Sequence, residues 1–346
     1  MTQNQNNSLI PCRWELLIIT NCEGGLYLLG ICYFSIILCF TIFFLSLAIL
    51  VYKTIWNNIP IKRKIEMDPT KGFLIWMALC GILRAVSMLI AAKDWMHDNR
   101  IIKSVMVAFG WTFGWIAVAT YLVSIFKVLP RLALNQHTVF SIDADLPESH
   151  LTANRFIPNI KSVFKIYWTY TIVILIYTLI LSILRGYFQG IGERRSFNIA
   201  HSLLELGLGI SDVLGVVCFI KYGRLIVKLL DESAILIGLA DIKNSQRKAS
   251  FLESYRVHLK KLKIMNFSLL IIVCWCGFFG FFIALMGMTI TMYMPLYVTL
   301  GAISLDGTAM VLLITLLGIV YGEIHKQYSV QAEEITTSIN YSEVNY

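Results

Sequence analysis

Four ionisable residues fall inside long apolar runs of this chain: Arg84, Glu205, Asp212 and Asp306. In hydrocarbon a charged side chain costs at least about 2.5–3.5 kcal/mol on insertion scales, so each is expected to face protein or water and to have a partner. The chemistry such residues offer is charge pairing or recognition of a ligand or ion. Arg84 lies roughly 12 Å, Asp306 roughly 15 Å and Asp212 roughly 16 Å from the same end of their helices, at 1.5 Å of rise per residue. Glu205 precedes Asp212 by seven residues and shares its helix face. Matched depth predicts that Arg84 pairs with Asp306, leaving Asp212 and Glu205 to face a polar cavity. Two readings stand side by side. The charges either set helix register only, or bind a ligand or ion.

The elements that must position these residues follow from composition. The chain has 346 residues, 57% of them hydrophobic and 14% charged, with a mean hydropathy of +0.70. A soluble chain carries about 25% charged residues. The apolar residues arrive in blocks near the ~20 residues that cross a bilayer. Seven spans are predicted, at about Leu26–Tyr52, Gly72–Ala92, Ser104–Phe126, Ile166–Leu184, His201–Ile220, Ile264–Met288 and Leu296–Tyr321. Gly110, Gly114 and Ala117 are small residues that allow close helix approach in the third. The fold class is therefore an all-α membrane protein, a seven-transmembrane bundle over 26–322. A polar segment, 1–25, precedes it and a tail, 323–346, follows.

Charge orients the bundle. Of the 29 Lys and Arg residues, 21 fall on one set of connections and tail and seven on the other, with Arg84 inside a span. Basic residues accumulate on the cytoplasmic side, which places the N-terminus outside or in a lumen and the C-terminus in the cytoplasm, the topology of G-protein-coupled receptors. The same rule accounts for the net charge of +8 without nucleic acid. Asn6-Asn7-Ser8 is a glycosylation sequon compatible with that orientation.

Two cytoplasmic connections are long. Residues 127–165 carry Asp143, Asp145 and Glu148 and read as flexible. Residues 221–263 hold the basic positions Arg224, Lys228, Arg247, Lys248, Lys260, Lys261 and Lys263, and the stretch from Arg247 can extend the sixth helix into the cytoplasm. That surface reads either as a docking site for a cytosolic protein or anionic lipid, or as ordinary positive-inside charge. No internal repeat is evident, which argues against an inverted-repeat transporter.

Absent motifs prune the functions. No GxSxG, HExxH or P-loop occurs, and of six histidines only His201 touches a span, at its edge. An enzyme, a metal site and a haem site are therefore not expected, and no cofactor is implied. Six of the eight cysteines lie in apolar blocks as small core residues. Nothing supports a bridge between the other two, Cys12 and Cys22. No basic n-region precedes an apolar core in the first 26 residues, so no cleaved signal peptide is expected. The seventh span has no lysine for a retinal. The third span ends without Asp-Arg-Tyr and the seventh without Asn-Pro-x-x-Tyr, so an ordinary rhodopsin-class receptor is a poor match.

Two short segments carry a resemblance. Gly81-Ile82-Leu83-Arg84-Ala85 and Tyr222-Gly223-Arg224-Leu225 resemble the Gly-x-x-Arg-Ala and Tyr-Gly-x-Arg-Leu segments of the tobamovirus multiplication protein family. The resemblance covers the topology of roughly 26–322, although the long 127–165 connection departs from the family pattern. It implies a seven-span endomembrane protein, often vacuolar, that recruits cytosolic partners and catalyses nothing. The expected function is thus a receptor-like, non-enzymatic membrane protein in a vacuolar, other endomembrane or plasma membrane. A divergent G-protein-coupled receptor acting on a G protein, and a transporter or ion pathway using the buried charges, are the alternatives.

Overall fold

The computed structural model describes residues 25–56, 69–96, 98–140, 160–225, 227–228, 245–286 and 294–321. Asn6, and the parts of the two long connections at 141–159 and 229–244, lie outside the described residues, as do the segments 1–24 and 322–346.

The helices run α1 (Gly25–Trp56), α2 (Pro69–Lys93), α3 (Arg100–Phe140), α4 (Ile160–Ile191), α5 (Arg194–Cys218), α6 (Ser245–Met286) and α7 (Met294–Ala302). A π-helical turn, Phe219–Gly223, prolongs α5. A second, Ile303–Gly307, leads from α7 into α8, residues 308–321. Seven stretches are long and apolar enough to cross a membrane, the last formed jointly by α7, its π turn and α8. Among the described residues there is no strand.

Lipid decides the local structure. The α4 run TIVILIYTLILSIL is rich in β-branched residues and in water would favour a strand. A lone strand in hydrocarbon leaves its backbone groups unpaired, whereas a helix satisfies them internally. The outward faces stay apolar: Ile37 and Phe44 on α1, Ile172 and Ile176 on α4, and Ile210 and Leu214 on α5 are all exposed.

Short connections force antiparallel neighbours. α2 closes with Asp94 (φ 50°) in the left-handed region, and Asp94 N–H and Trp95 N–H donate to Ala91 O at 3.2 Å and Ile90 O at 3.0 Å. These two bonds satisfy carbonyls that the helix end would leave orphaned. Gly192 (φ 78°) plays the same part after α4, with Glu193 N–H donating to Phe188 O at 3.0 Å. Each of α1 to α5 packs on the next, α6 packs on α5, and α1 packs on α7 and its π turn, closing a ring.

A polar seam joins α3 to α4. Ser104, Thr112 and Thr120 recur every eight residues on α3 and meet Ser182 O (2.8 Å), Thr178 Oγ1 (3.1 Å) and Tyr167 Oη (2.8 Å). Gly110 and Gly114 of α3 pack closely on α2, and Ala117 is fully buried, as their small size predicts.

Four expectations change. The fourth and fifth spans are longer than their apolar cores, at Lys161–Ile191 and Arg194–Gly223. α3 continues as helix to Phe140, so much of the supposed flexible connection is helical. Arg185, one residue beyond the predicted end of the fourth span at Leu184, lies within α4 and is one of the largest fully buried side chains. His201, expected at a span edge, is also buried.

Candidate functional site

Arg84 enters the bundle from α2 and is 4% exposed. Its Nη2 donates to Leu305 O at 3.0 Å, and both Nη atoms donate to Thr308 Oγ1 at 3.3 Å. Its guanidinium carbon lies 4.2 Å from the centre of the Trp111 ring, a cation–π contact. The expected pairing with Asp306 is not made, as no oxygen of Asp306 lies within 4.0 Å of the guanidinium. Arg84 does reach the anticipated seventh span, but it binds the neutral oxygens flanking Asp306. The π turn is the reason. It offsets the backbone ladder and presents the Leu305 carbonyl to α2. Asp306 instead faces Ser35 of α1.

A second buried arginine went unnoticed in the sequence. Arg185 Nε donates to Ser104 Oγ at 2.8 Å and Nη2 to Ser104 O at 3.1 Å. Its Nη1 stands 3.5 Å from His201 Nδ1, which stands 3.8 Å from Glu205 Oε1 one turn further along α5. Arg185, His201 and Glu205 thus form a connected polar row. The signal was present on α4, because Thr171, Thr178, Ser182 and Arg185 follow helical spacing and are all buried. A window read for apolar length stops at Arg185 and assigns it to solvent.

Asp212 lies two turns beyond Glu205 and is 2% exposed. Trp115 of α3 lines the same cavities, and Asp212 Oδ1 has no hydrogen-bond partner. Gly277 of α6 gives it room, since a Cβ there would fall 2.8 Å from Asp212 Cβ.

These groups surround a chamber of about 60 Å³, whose wall includes Trp111, Trp115, Arg185, Glu205, Asp212 and Trp275. A smaller cavity of about 30 Å³, bounded by Arg84 and Thr308, shares Trp111, Trp115, Asp212 and Cys276 with it. Glu205 and Asp212 both line the chamber, most of whose surface is apolar, whereas Arg84 borders only the smaller cavity and Asp306 borders neither. The three tryptophans were not anticipated. They lie on α3 and α6, whose pattern shows only that they are apolar. Such an arrangement can bind a small polar molecule by charge, hydrogen bonds and ring faces. Among the described residues no three His, Cys, Asp or Glu side chains converge as a metal-ligand set.

The basic positions separate by place. Arg224, Lys228, Lys260 and Lys263 are exposed near the junctions of α5 and α6 with the long connection. Arg247, Lys248 and Lys261 lie on α6, which continues without a break from Ser245 into its membrane span. The part of α6 before Leu262 and the part of α3 after Val123 extend the bundle on the same face, each by roughly 25 Å.

Compared with protein-family models, with curated proteins and with solved structures, the chain matches none.

Proposed function

We propose that this chain is a receptor-like, non-enzymatic membrane protein. It senses a small ligand in the chamber and recruits or signals to a cytosolic protein through the basic face at the other end. The observation that carries this reading is the chamber's asymmetry. Its wall is charged and aromatic, and beyond Asp212 the bundle is a packed core of Phe73, Tyr121, Phe219, Leu269, Leu312 and Leu316. Within that core Tyr121 Oη donates to Asn266 Oδ1 at 2.8 Å and its ring stacks on Phe219 at 6.1 Å. A site closed beneath by packed side chains suits binding and relay better than passage.

The orientation, with the N-terminus outside and the long ends of α3 and α6 in the cytoplasm, is part of this proposal. So is membership of the tobamovirus multiplication protein family, together with residence on a vacuolar, other endomembrane or plasma membrane. The charge asymmetry and the two short segments support these.

The test has two arms. An N-terminal epitope and a C-terminal fluorescent fusion, read in intact and permeabilised cells, should place the two termini on opposite sides. Proximity labelling from the C-terminus should recover a set of cytosolic proteins. That set should shrink when Arg247, Lys248, Lys260, Lys261 and Lys263 are replaced by alanine without loss of membrane targeting. An unchanged set would remove the recruitment reading.

The unpartnered Asp212 oxygen favours one other reading, a solute or ion pathway. Flux in proteoliposomes that disappears with Asp212→Asn would establish it in place of the receptor.

A further inference from the structure

We infer that the groove between α5 and α6, at the end that carries the basic residues, holds an anionic phospholipid whose headgroup bears more than one negative charge. The inference rests on the proposed function only for the leaflet, which that reading makes cytoplasmic, and it is independent of what the chamber holds.

The two helices meet at a fixed level. A Cβ built on Gly223, which ends the π turn after α5, would stand 3.5 Å from the Asn266 side chain of α6. Arg224 is the next residue on one helix, and Lys263 precedes Asn266 by three on the other. Lys228 follows Arg224 by four and Lys260 precedes Lys263 by three, so each pair lies on one side of its helix, a turn apart. The helices run antiparallel, since Asp212 meets Gly277 where Gly223 meets Asn266 further along. Both basic pairs therefore lead away from the Gly223–Asn266 contact in the same direction. All four side chains are exposed. The apolar span of α5 ends at Gly223 and that of α6 begins at Leu262, which sets the four at the membrane boundary, where headgroups lie.

Just inside that boundary Val217 and Ile220 of α5 and its π turn, and Phe267 and Ile271 of α6, are exposed to the bilayer. The groove is thus apolar towards the hydrocarbon and cationic at its mouth. A phospholipid has the complementary pattern, with acyl chains for the side chains and phosphate for Lys and Arg. Arg224 offers a forked donor pair that matches phosphate oxygens, and the lysines add point charges.

Charge chooses among phospholipids. The stretches 213–228 and 260–286 hold six Lys and Arg residues and no Asp or Glu. A zwitterionic headgroup brings its own ammonium and gains little there. Each further negative charge on a headgroup adds attraction to interfacial cations, so a multiply phosphorylated headgroup fits best.

The experiment uses the full chain in detergent micelles, with a tail-labelled phosphatidylinositol bisphosphate as the fluorescent probe and thermal unfolding as the second readout. The bisphosphate lipid should bind saturably and raise the melting temperature. It should bind at least about tenfold tighter than phosphatidylserine or phosphatidylcholine. Arg224→Gln with Lys228→Gln should weaken it about thirtyfold, the share of two interfacial charges. Lys260→Gln with Lys263→Gln should do the same from the other helix, and this pair keeps the test decisive where the first does not fold. Lys161→Gln with Lys165→Gln removes two exposed charges of the same membrane face that lie on α4, outside the groove, and should leave binding within about threefold.

The inference fails if the bisphosphate lipid does not bind saturably, if phosphatidylserine matches it, or if either groove pair binds as well as wild type. It fails equally if the α4 pair weakens binding as much as a groove pair, since general surface charge then suffices. Inositol trisphosphate has the same phosphates without acyl chains and should compete at least about tenfold more weakly. Equal affinity would identify a soluble polyanion and overturn the lipid. Arg224 and Lys228 are not among the residues replaced in the recruitment test. Lipid binding can therefore fail while recruitment stands, or succeed while recruitment fails.

Discussion

Gly110 of α3 leaves the space that the Arg84 side chain fills: a Cβ built on Gly110 would stand 2.9 Å from Arg84 Cγ. The contact holds α2 and α3 close at the level where Arg84 meets Trp111 and crosses to the seventh span. A missing methyl group on one helix thus decides where a charge on the next can go. Gly110→Ala should destabilise the bundle by about 1–3 kcal/mol, the usual result of overpacking. Gly30→Ala, where the added Cβ meets nothing within 4 Å, is the matched control and should not destabilise. Thermal unfolding of the purified chain in nanodiscs measures both.

Swapping Arg84 and Asp306 should not restore a folded protein. The double variant Arg84→Asp with Asp306→Arg rescues the single variants only if the two side chains form an ion pair. Instead, Arg84 binds Leu305 O and Thr308 Oγ1 and stacks on Trp111. Arg84→Lys should also fail to restore wild-type stability, because an ammonium has neither the forked donors nor the planar face. Yields of monodisperse protein, compared across the four variants, decide the matter. Recovery in the double variant would count against this geometry.

Arg185→Ala should cost about 3–5 kcal/mol, the range for removing one member of a buried charged network. It removes the donors to Ser104 Oγ and Ser104 O on α3 and the guanidinium that stands beside His201 on α5. Arg194→Ala and Arg195→Ala, at exposed positions opening α5, should each change stability by less than about 0.5 kcal/mol. Unfolding midpoints of the three variants check the contrast. Equal effects would contradict the burial of Arg185.

The α3–α4 seam should prove weak contact by contact. Thr112→Val with Thr178→Val removes the 3.1 Å hydroxyl pair while preserving shape. Interhelical hydrogen bonds of this kind in membranes average about 0.6 kcal/mol in double-mutant cycles. The coupling energy from a full cycle should fall near that value, and one of several kcal/mol would show that the seam dominates the α3–α4 contact.

Gly277→Ala should act on the chamber directly, since its Cβ would fall 2.8 Å from Asp212 Cβ and neither atom can swing away. The substitution should separate α5 from α6 or displace Asp212. Either change should lower stability by about 1–3 kcal/mol. Gly223→Ala is the control on the same helix pair, because its nearest neighbour, the Asn266 side chain, lies at an ordinary 3.5 Å.

The amino-acid sequence by itself determined the class and the count. Seven apolar blocks near the bilayer length, in a chain with few charges, leave helices as the answer, because hydrocarbon satisfies no backbone group. It also marked Asp212 and Glu205 for a cavity, since a carboxylate deep in an apolar run has few other places to go. The tertiary structure decided what each charge touches. Depth along a helix placed Arg84 level with Asp306, but depth is one coordinate and contact requires three. Helix rotation and the π turn at Ile303–Gly307 delivered Leu305 and Thr308 to Arg84 instead. Arg185 was hidden for the same reason. Apolar length measures how far a span runs, whereas the face turned towards Ser104 and His201 is set by packing. The chamber belongs wholly to that packing. Its wall joins α3, α4, α5, α6 and the π turn, and no stretch of sequence contains more than a part of it.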